Sequence, residues 1–286
     1  MEIWRGFLQC LKQCIWVKKM ISILILTYNE GIHIQRCLDS VQGISNDIIV
    51  IDSLSSDDTK EICLKNNIRF YEREFLNQAE TLNWTLDNID FKNNMIFRID
   101  ADEYLTVESK QVVNNNIFHE KLISSDALYV GRNIKFMDKL LKFGGLRNRK
   151  VVRILDKNRC RYDSAEMDER VQVSGIVKDS GLKIIDENLN DIEFFINKHI
   201  GYANREVRKE YIDTSRKNYS RYDTIIIFLK KIFSKYNNIA LVILYFFYRY
   251  VIQLGFMDGK AGFYYHFYQV LFYRFTILVI KRRTKK

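Results

Sequence analysis

Apolar positions in the first hundred residues fall in short unbroken runs, separated by stretches with helical spacing. Met20–Thr27 reads MISILILT, a run rich in β-branched residues that predicts a buried strand. From Asn29 to Gln42 the apolar Ile32, Ile34, Leu38 and Val41 return at helical intervals. Asp47–Asp52 (DIIVID) predicts a second buried strand, closed by a polar turn from Ser53 to Asp58. Thr59–Asn66 predicts a helix, Ile68–Tyr71 a third strand and Gln78–Leu86 another helix. Met95–Ile99 (MIFRI) then predicts a fourth strand ending on Asp100. Strands and helices alternating with short connections imply an open, mostly parallel α/β sheet. Ligands of such sheets bind beyond the carboxyl ends of the strands. Three polar clusters fall there: Thr27-Tyr28-Asn29-Glu30, Asp52-Ser53 and Asp100-Ala101-Asp102.

Beyond about residue 105 the alternation loosens, as in a half built of mixed strands. Lys198–Tyr219 predicts a charged helix, polar nearly all round. Ile239–Ile252 is apolar but for Arg249, and is shorter than the roughly twenty residues of a spanning helix. Phe263–Ile280 is similar, with His266, Gln269 and Arg274 inside it, and Gly255–Gly262 (GFMDGKAG) predicts a turn between the two.

Composition changes this picture in one respect. The chain has 286 residues and a net charge of +10, yet the excess is local. From Thr224 to Lys286 there are 11 Lys and Arg against one acid, Asp258, so 34 basic and 34 acidic residues remain upstream. The same tail holds 17 of the 39 aromatic residues. A neutral body therefore carries a basic, aromatic extension. Hydrophobic residues at 47% support a proper core. Cys10, Cys14, Cys37, Cys63 and Cys160 lack zinc-site spacing and are expected to be reduced thiols. Residues 1–19 show no secretory pattern, and are read either as a short amphipathic surface helix or as an upstream start before Met20.

The chemistry concentrates at Asp100 and Asp102. Two carboxylates flanking one small residue after a buried strand suit a hard divalent cation, Mn²⁺ or Mg²⁺, that bridges two phosphates. A solvated turn is the plain alternative for three such residues, but the other polar strand ends favour a site. Asp52 is placed to accept from a group such as a uracil N–H, or else to cap the turn that follows. Asn29 is placed to face a base or ribose, or else to cap a helix.

In the order ILILTYNE, IIVIDSLSSDDT, FLNQAETLNWTLDNIDFKNNMIFRIDADE, EMDERVQVSG, FFINKHIGYANREV and RYVIQLGFMDGKAGFYYHFYQVLFYRF, the chain resembles family-2 glycosyltransferases of the GT-A fold. The similarity is to the bacterial branch that builds lipopolysaccharide, capsule and exopolysaccharide. It implies a nucleotide pocket lined by Thr27, Asn29 and Glu30, with Asp52 recognising the base. Asp100 would lie near ribose and metal, with Asp102 as the direct metal ligand, and Gln78 and Asn83 beside the donor sugar. Asp168 and Glu169 match the position of the catalytic carboxylate, with Glu169 favoured as the general base of a single-displacement, inverting transfer. The chain departs from the family where relatives carry a His; Asp186 or Glu187 stands there. The acceptor-side segment is also altered, to FGGLRNRKVVRI, where Arg147, Arg149 and Arg153 are phosphate contacts or surface arginines.

The expected organisation is thus an N-terminal extension (1–19), a GT-A domain (20–222) and a membrane-associating helical region (223–286). The partners implied are a nucleotide-sugar donor, UDP-linked by preference, a lipid-linked glycan acceptor and the inner-membrane surface. The apolar density of the tail argues against nucleic acid. The expected location is cytoplasmic, peripheral to the bacterial inner membrane. A sugar-nucleotide nucleotidyltransferase and a non-catalytic scaffold that keeps the fold are the rival readings.

Overall fold

The computed structural model describes residues 20–147, 149–163, 171–209 and 238–284. The described residues divide into two compact units, one drawn from Met1–Lys135 with Asn148–Leu189, the other from Phe136–Arg147 with Asn190–Lys286. The boundary expected between residues 222 and 223 lies outside the described residues, as does the extension 1–19.

In the first unit, β1 (Ile21–Thr27), β2 (Ile48–Asp52), β3 (Arg69–Glu72) and β4 (Met95–Asp100) are parallel neighbours in the order β3-β2-β1-β4. The helices α1 (Gly31–Val41), α2 (Thr59–Lys65) and α3 (Gln78–Asn88) connect them. β5 (Glu103–Leu105), α4 (Val107–Val113) and α5 (Asn116–Ile123) follow, then β6 (Ala127–Phe136). After β7 (Lys139–Leu141) come β8 (Lys150–Asp156), β9 (Cys160–Tyr162), β10 (Val171–Val173) and β11 (Val177–Asp186). The sheet continues past β4 as β8-β6-β11-β5. β8 runs antiparallel to β4, so the sheet is parallel in its first half and mixed in its second.

The continuous apolar runs have a direct cause. Alternate residues of a strand face opposite sides of the sheet. Ile21, Ile23 and Ile25 enter one buried cluster with Ile34, Cys37, Leu38 and Val41 of α1. Leu24 enters another, with Leu82 and Leu86 of α3. Both faces are covered by helices, so neither admits a polar residue cheaply. Ile32, counted in the predicted apolar stripe of α1, is exposed, and Cys37 takes its place in the core.

The second unit departs from the predicted outline. α6 runs Ile192–Lys209, earlier than predicted, and is not polar all round: Ala203 and Val207 pack with Ile277 of α9 (Tyr273–Thr284). Residues 210–219 of the predicted helix lie outside the described residues. α7 (Ile239–Phe247) continues as a π-helical turn to Ile252. The predicted turn from Gly255 is helical instead, a 3-10 turn (Gly255–Asp258) leading directly into α8 (Gly259–His266). A π-helical stretch (Phe267–Phe272) joins α8 to α9.

Candidate active site

Strand register brings the predicted residues together. Thr27 pairs with Asp52, and Leu26 with Asp100, so three polar strand ends share one edge. The Asp52 carboxylate is 1% exposed and closes the turn after β2. Its Oδ1 accepts from Thr27 Oγ1 at 2.7 Å and Ser55 Oγ at 2.6 Å, and its Oδ2 from the Ser55 amide at 2.7 Å. In this conformation the Asp52 carboxylate caps the turn after β2, a role that its position also allowed.

Asn29 adopts a left-handed backbone, φ 53°, which asparagine tolerates well. Its Oδ1 accepts from the Ser56 amide at 2.9 Å, and its own amide donates to Ser55 Oγ at 2.7 Å. Asn29 therefore fastens the 27–30 turn to the 53–58 turn rather than capping α1. Glu30 precedes α1, and its carboxylate accepts from the fully buried His33 at 2.6 Å. The other ring nitrogen, Nε2, accepts from the Leu189 amide at 2.8 Å, so a neutral His33 carries its proton on Nδ1. His33 thus links Glu30 to the chain after β11, a role with no sequence signal beyond one polar residue on the apolar face of a helix.

Asp100 and Asp102 are both partly exposed. Asp100 Oδ1 accepts from Arg98 at 3.0 Å and Oδ2 from Arg153 at 2.8 Å. Arg153 also donates to Glu103 Oε1 at 2.5 Å, and Arg132 Nε lies 3.1 Å from that same oxygen. Burial pushes the Asp100 carboxyl up, but Arg153 and Arg98 outweigh it and hold it well below the usual carboxylate range. Glu103 is fully buried, and burial together with the Asp100 charge raises it despite Arg153 and Arg132. Burial also lifts the Cys37 thiol, further raised by Glu103 and Asp100, so Cys37 is an inert core thiol.

Arg153 is therefore not a surface arginine. It is 6% exposed and committed to carboxylates. A signal existed: Arg98 in MIFRID and Arg153 in VVRILD are lone charges inside buried strands, which need partners. Arg147 is exposed and Arg149 half-buried. Asp186 and Glu187, at the family's His position, are likewise paired. Asp186 binds Arg132 at 2.6 Å; Glu187 binds Arg36 at 2.6 Å and Lys135 at 2.8 Å.

Gln78 opens α3, capped by Asn77, whose side chain accepts from the Glu80 amide. Asn83 points to β9, donating to the Tyr162 carbonyl and accepting from the Tyr162 amide, both at 2.8 Å. This two-point clamp holds the strand below Arg98, whose guanidinium lies 5.7 Å from the Tyr162 ring centroid. Asp168 and Glu169 lie outside the described residues.

Among the described residues no group of three or more His, Cys, Asp or Glu side chains is gathered as for a metal ion. A Mg²⁺ or Mn²⁺ ion completed by substrate phosphates and water needs only one or two protein carboxylates. Both oxygens of Asp100 are engaged by arginines.

Residues 22–150, under half of the chain, match the model of the family described as glycosyl transferase family 2. The segment that carries these strand ends is thus a glycosyl transferase family 2 domain, and its mixed α/β sheet with flanking helices is GT-A-like. An uncharacterized glycosyltransferase of Rickettsia bellii is 35% identical over 96 residues, covering 32% of this chain and 30% of that protein. One of Mycoplasma pneumoniae is 27% identical over 123 residues, covering 40% of this chain and 41% of that protein. The chain matches less than half the length of these curated relatives. Among solved structures, S. aureus TarS 1–349 is similar with a TM-score of 0.41 at 14% identity, covering 65% of each chain.

Proposed function

We propose that the protein is a glycosyltransferase that moves a sugar from a nucleotide donor, UDP-linked by preference, onto a lipid-linked glycan. The transfer would serve bacterial surface-polysaccharide or lipopolysaccharide assembly at the cytoplasmic face of the inner membrane. One observation carries the reading: Thr27, Asp52 and Asp100 end adjacent parallel strands within the matched segment, with Asp102 next beyond.

In this reading the turn built by Asn29, Asp52 and Ser55 frames the nucleotide. Asp102 would hold a divalent cation, Mn²⁺ or Mg²⁺, which supplies charge stabilisation for the departing diphosphate. Arg98 and Arg153 fix the Asp100 carboxylate, so the acidic turn keeps its shape before donor arrives. A carboxylate of the Asp168–Glu169 pair takes the proton from the acceptor hydroxyl as its oxygen attacks the anomeric carbon and the bond to the nucleoside diphosphate breaks. One displacement inverts the anomeric centre.

The test is UDP release from a panel of UDP-sugars with Mn²⁺, by the protein and by Asp102→Ala. The variant should lose on the order of 100-fold in rate, the scale of removing one preorganised charge stabiliser. Full retention of rate by Asp102→Ala would end this reading, and pyrophosphate release from UTP with a sugar phosphate would favour a nucleotidyltransferase.

A further inference from the structure

The bent helical pair of the second unit, Ile239–Ile252 and Gly255–Arg283, is built inside out. Asp258 is the lone acid from Thr224 to Lys286, and it is 2% exposed. Its Oδ2 accepts from the amides of Lys142 at 3.0 Å and Phe143 at 2.9 Å. His266 is fully buried against Gly144 and Gly255, and neither ring nitrogen has a hydrogen-bond partner. Burial, with Arg249 adding, pushes its pKa down to about 4, so the ring is neutral at physiological pH.

The outer face is the reverse. In α8 the buried positions are Ala261, Gly262, Tyr265 and His266, while Phe263 and Tyr264 are exposed. Leu244, Phe247, Ile252, Phe256, Met257 and Phe267 are exposed as well. A solvent-facing surface does not ordinarily hide its polar groups and display large apolar ones. Charge has the same asymmetry. With Asp258 turned inward, the exposed charges of Asn238–Thr284 are cationic, among them Lys260, Arg282 and Arg283. No single helix among the described residues is long and apolar enough to cross a bilayer, and the pair Ile239–Ile252 and Gly255–Arg283 is bent by 67°.

We propose that this bent pair is a monotopic wedge that seats in one leaflet of an anionic bilayer, its exposed apolar ridge in the acyl region and its cations among lipid phosphates. The proposal deepens the membrane-side location given above, although its test needs no transfer activity. An acid-free apolar face suits anionic lipid, whereas a second copy of the same face would bring like charges together.

The test is co-sedimentation of the full chain, without donor, with vesicles of phosphatidylglycerol and phosphatidylcholine in equal parts, or of phosphatidylcholine alone. Binding should be at least about tenfold tighter to the anionic vesicles. The double variant Phe256→Glu with Met257→Glu should bind them at least about tenfold more weakly. Phe256→Trp keeps the apolar character; the introduced indole should be quenched by acyl-chain bromines and shielded from aqueous iodide. The proposal is overturned if the full chain stays in the supernatant or binds neutral vesicles equally. It is also overturned if the indole stays open to iodide on vesicles, or if self-association shields it without lipid. Loss of UDP release alone would bear on the transfer reading and leave these outcomes unchanged.

Discussion

Asp47 shows how one buried carboxylate ties three segments of the sheet. It accepts from Ser22 Oγ at 2.5 Å, Arg69 at 2.7 Å and the Lys92 amide at 2.9 Å. Burial pushes its carboxyl up, but the bonds from Ser22, Lys92 and Arg69 prevail and lower it below the usual carboxylate range. A folded-state value below the unfolded one contributes stability at neutral pH, and that contribution fades as pH falls through the folded value. Asp47→Asn should therefore cost on the order of 3 kcal/mol at pH 7, the scale for breaking a buried charged contact. It should also flatten the fall of melting temperature on acidification below about pH 4, near the unfolded carboxylate value. Identical acid profiles for variant and parent would count against this assignment. His33 adds a second lesson at this scale, because a bond from the Leu189 amide settles its tautomer without any titration argument.

At the scale of elements, Gly144 sets the loop after β7. Its φ is +67°, and a Cβ there would stand 2.0 Å from His266 Nε2. Its amide donates to the Gln253 carbonyl at 2.8 Å, and its carbonyl accepts from Arg249 at 2.8 Å. Gly144→Ala should destabilise the second unit by more than about 2 kcal/mol, combining backbone strain with overpacking. Gly43 offers the control: its φ is +83° with nothing within 4 Å, so Gly43→Ala should cost only about 1 kcal/mol. Denaturant titration compares the two. β1, β2 and β4 were legible in the sequence because helices cover both faces and leave continuous apolar runs. α6 was legible as a helix but not in its start or its buried face, since its stripe at Ala203 and Val207 is narrow and is completed by Ile277, far along the chain. The segment from Gly255 misled for a related reason. Its glycines allow close packing within a largely helical segment, a Cβ on Gly262 meeting the Gly255 carbonyl at 2.4 Å. In the site, the strand-end carboxylates could be read from pattern alone. Their arginine partners could not be assigned, because Arg153 reaches Asp100 only through the antiparallel pairing of β4 with β8. The partners of Asn83, read from the resemblance as lying beside the donor sugar, were likewise not assignable, because they are backbone groups of Tyr162 on β9.

At the scale of the whole molecule, charge and hydrophobicity are divided along the chain. The body upstream of Thr224 is neutral, and the excess of +10 lies in the tail. If the wedge sits in anionic lipid, two forces of different range hold it there. Raising salt from about 0.1 to 0.5 M shortens electrostatic reach and should weaken vesicle binding several-fold. The insertion of Phe256 and its neighbours should leave a salt-resistant fraction, and complete release in that sedimentation assay would mean that charge acts alone.

The sheet itself has a consequence for crowded conditions. Its path ends on β3 and β5, of four and three residues, and β3 carries Arg69 and Glu72. Open edges recruit foreign strands when they are long, flat and apolar. Margins this brief, each carrying a charged residue, give a second chain little to zip onto at high local density.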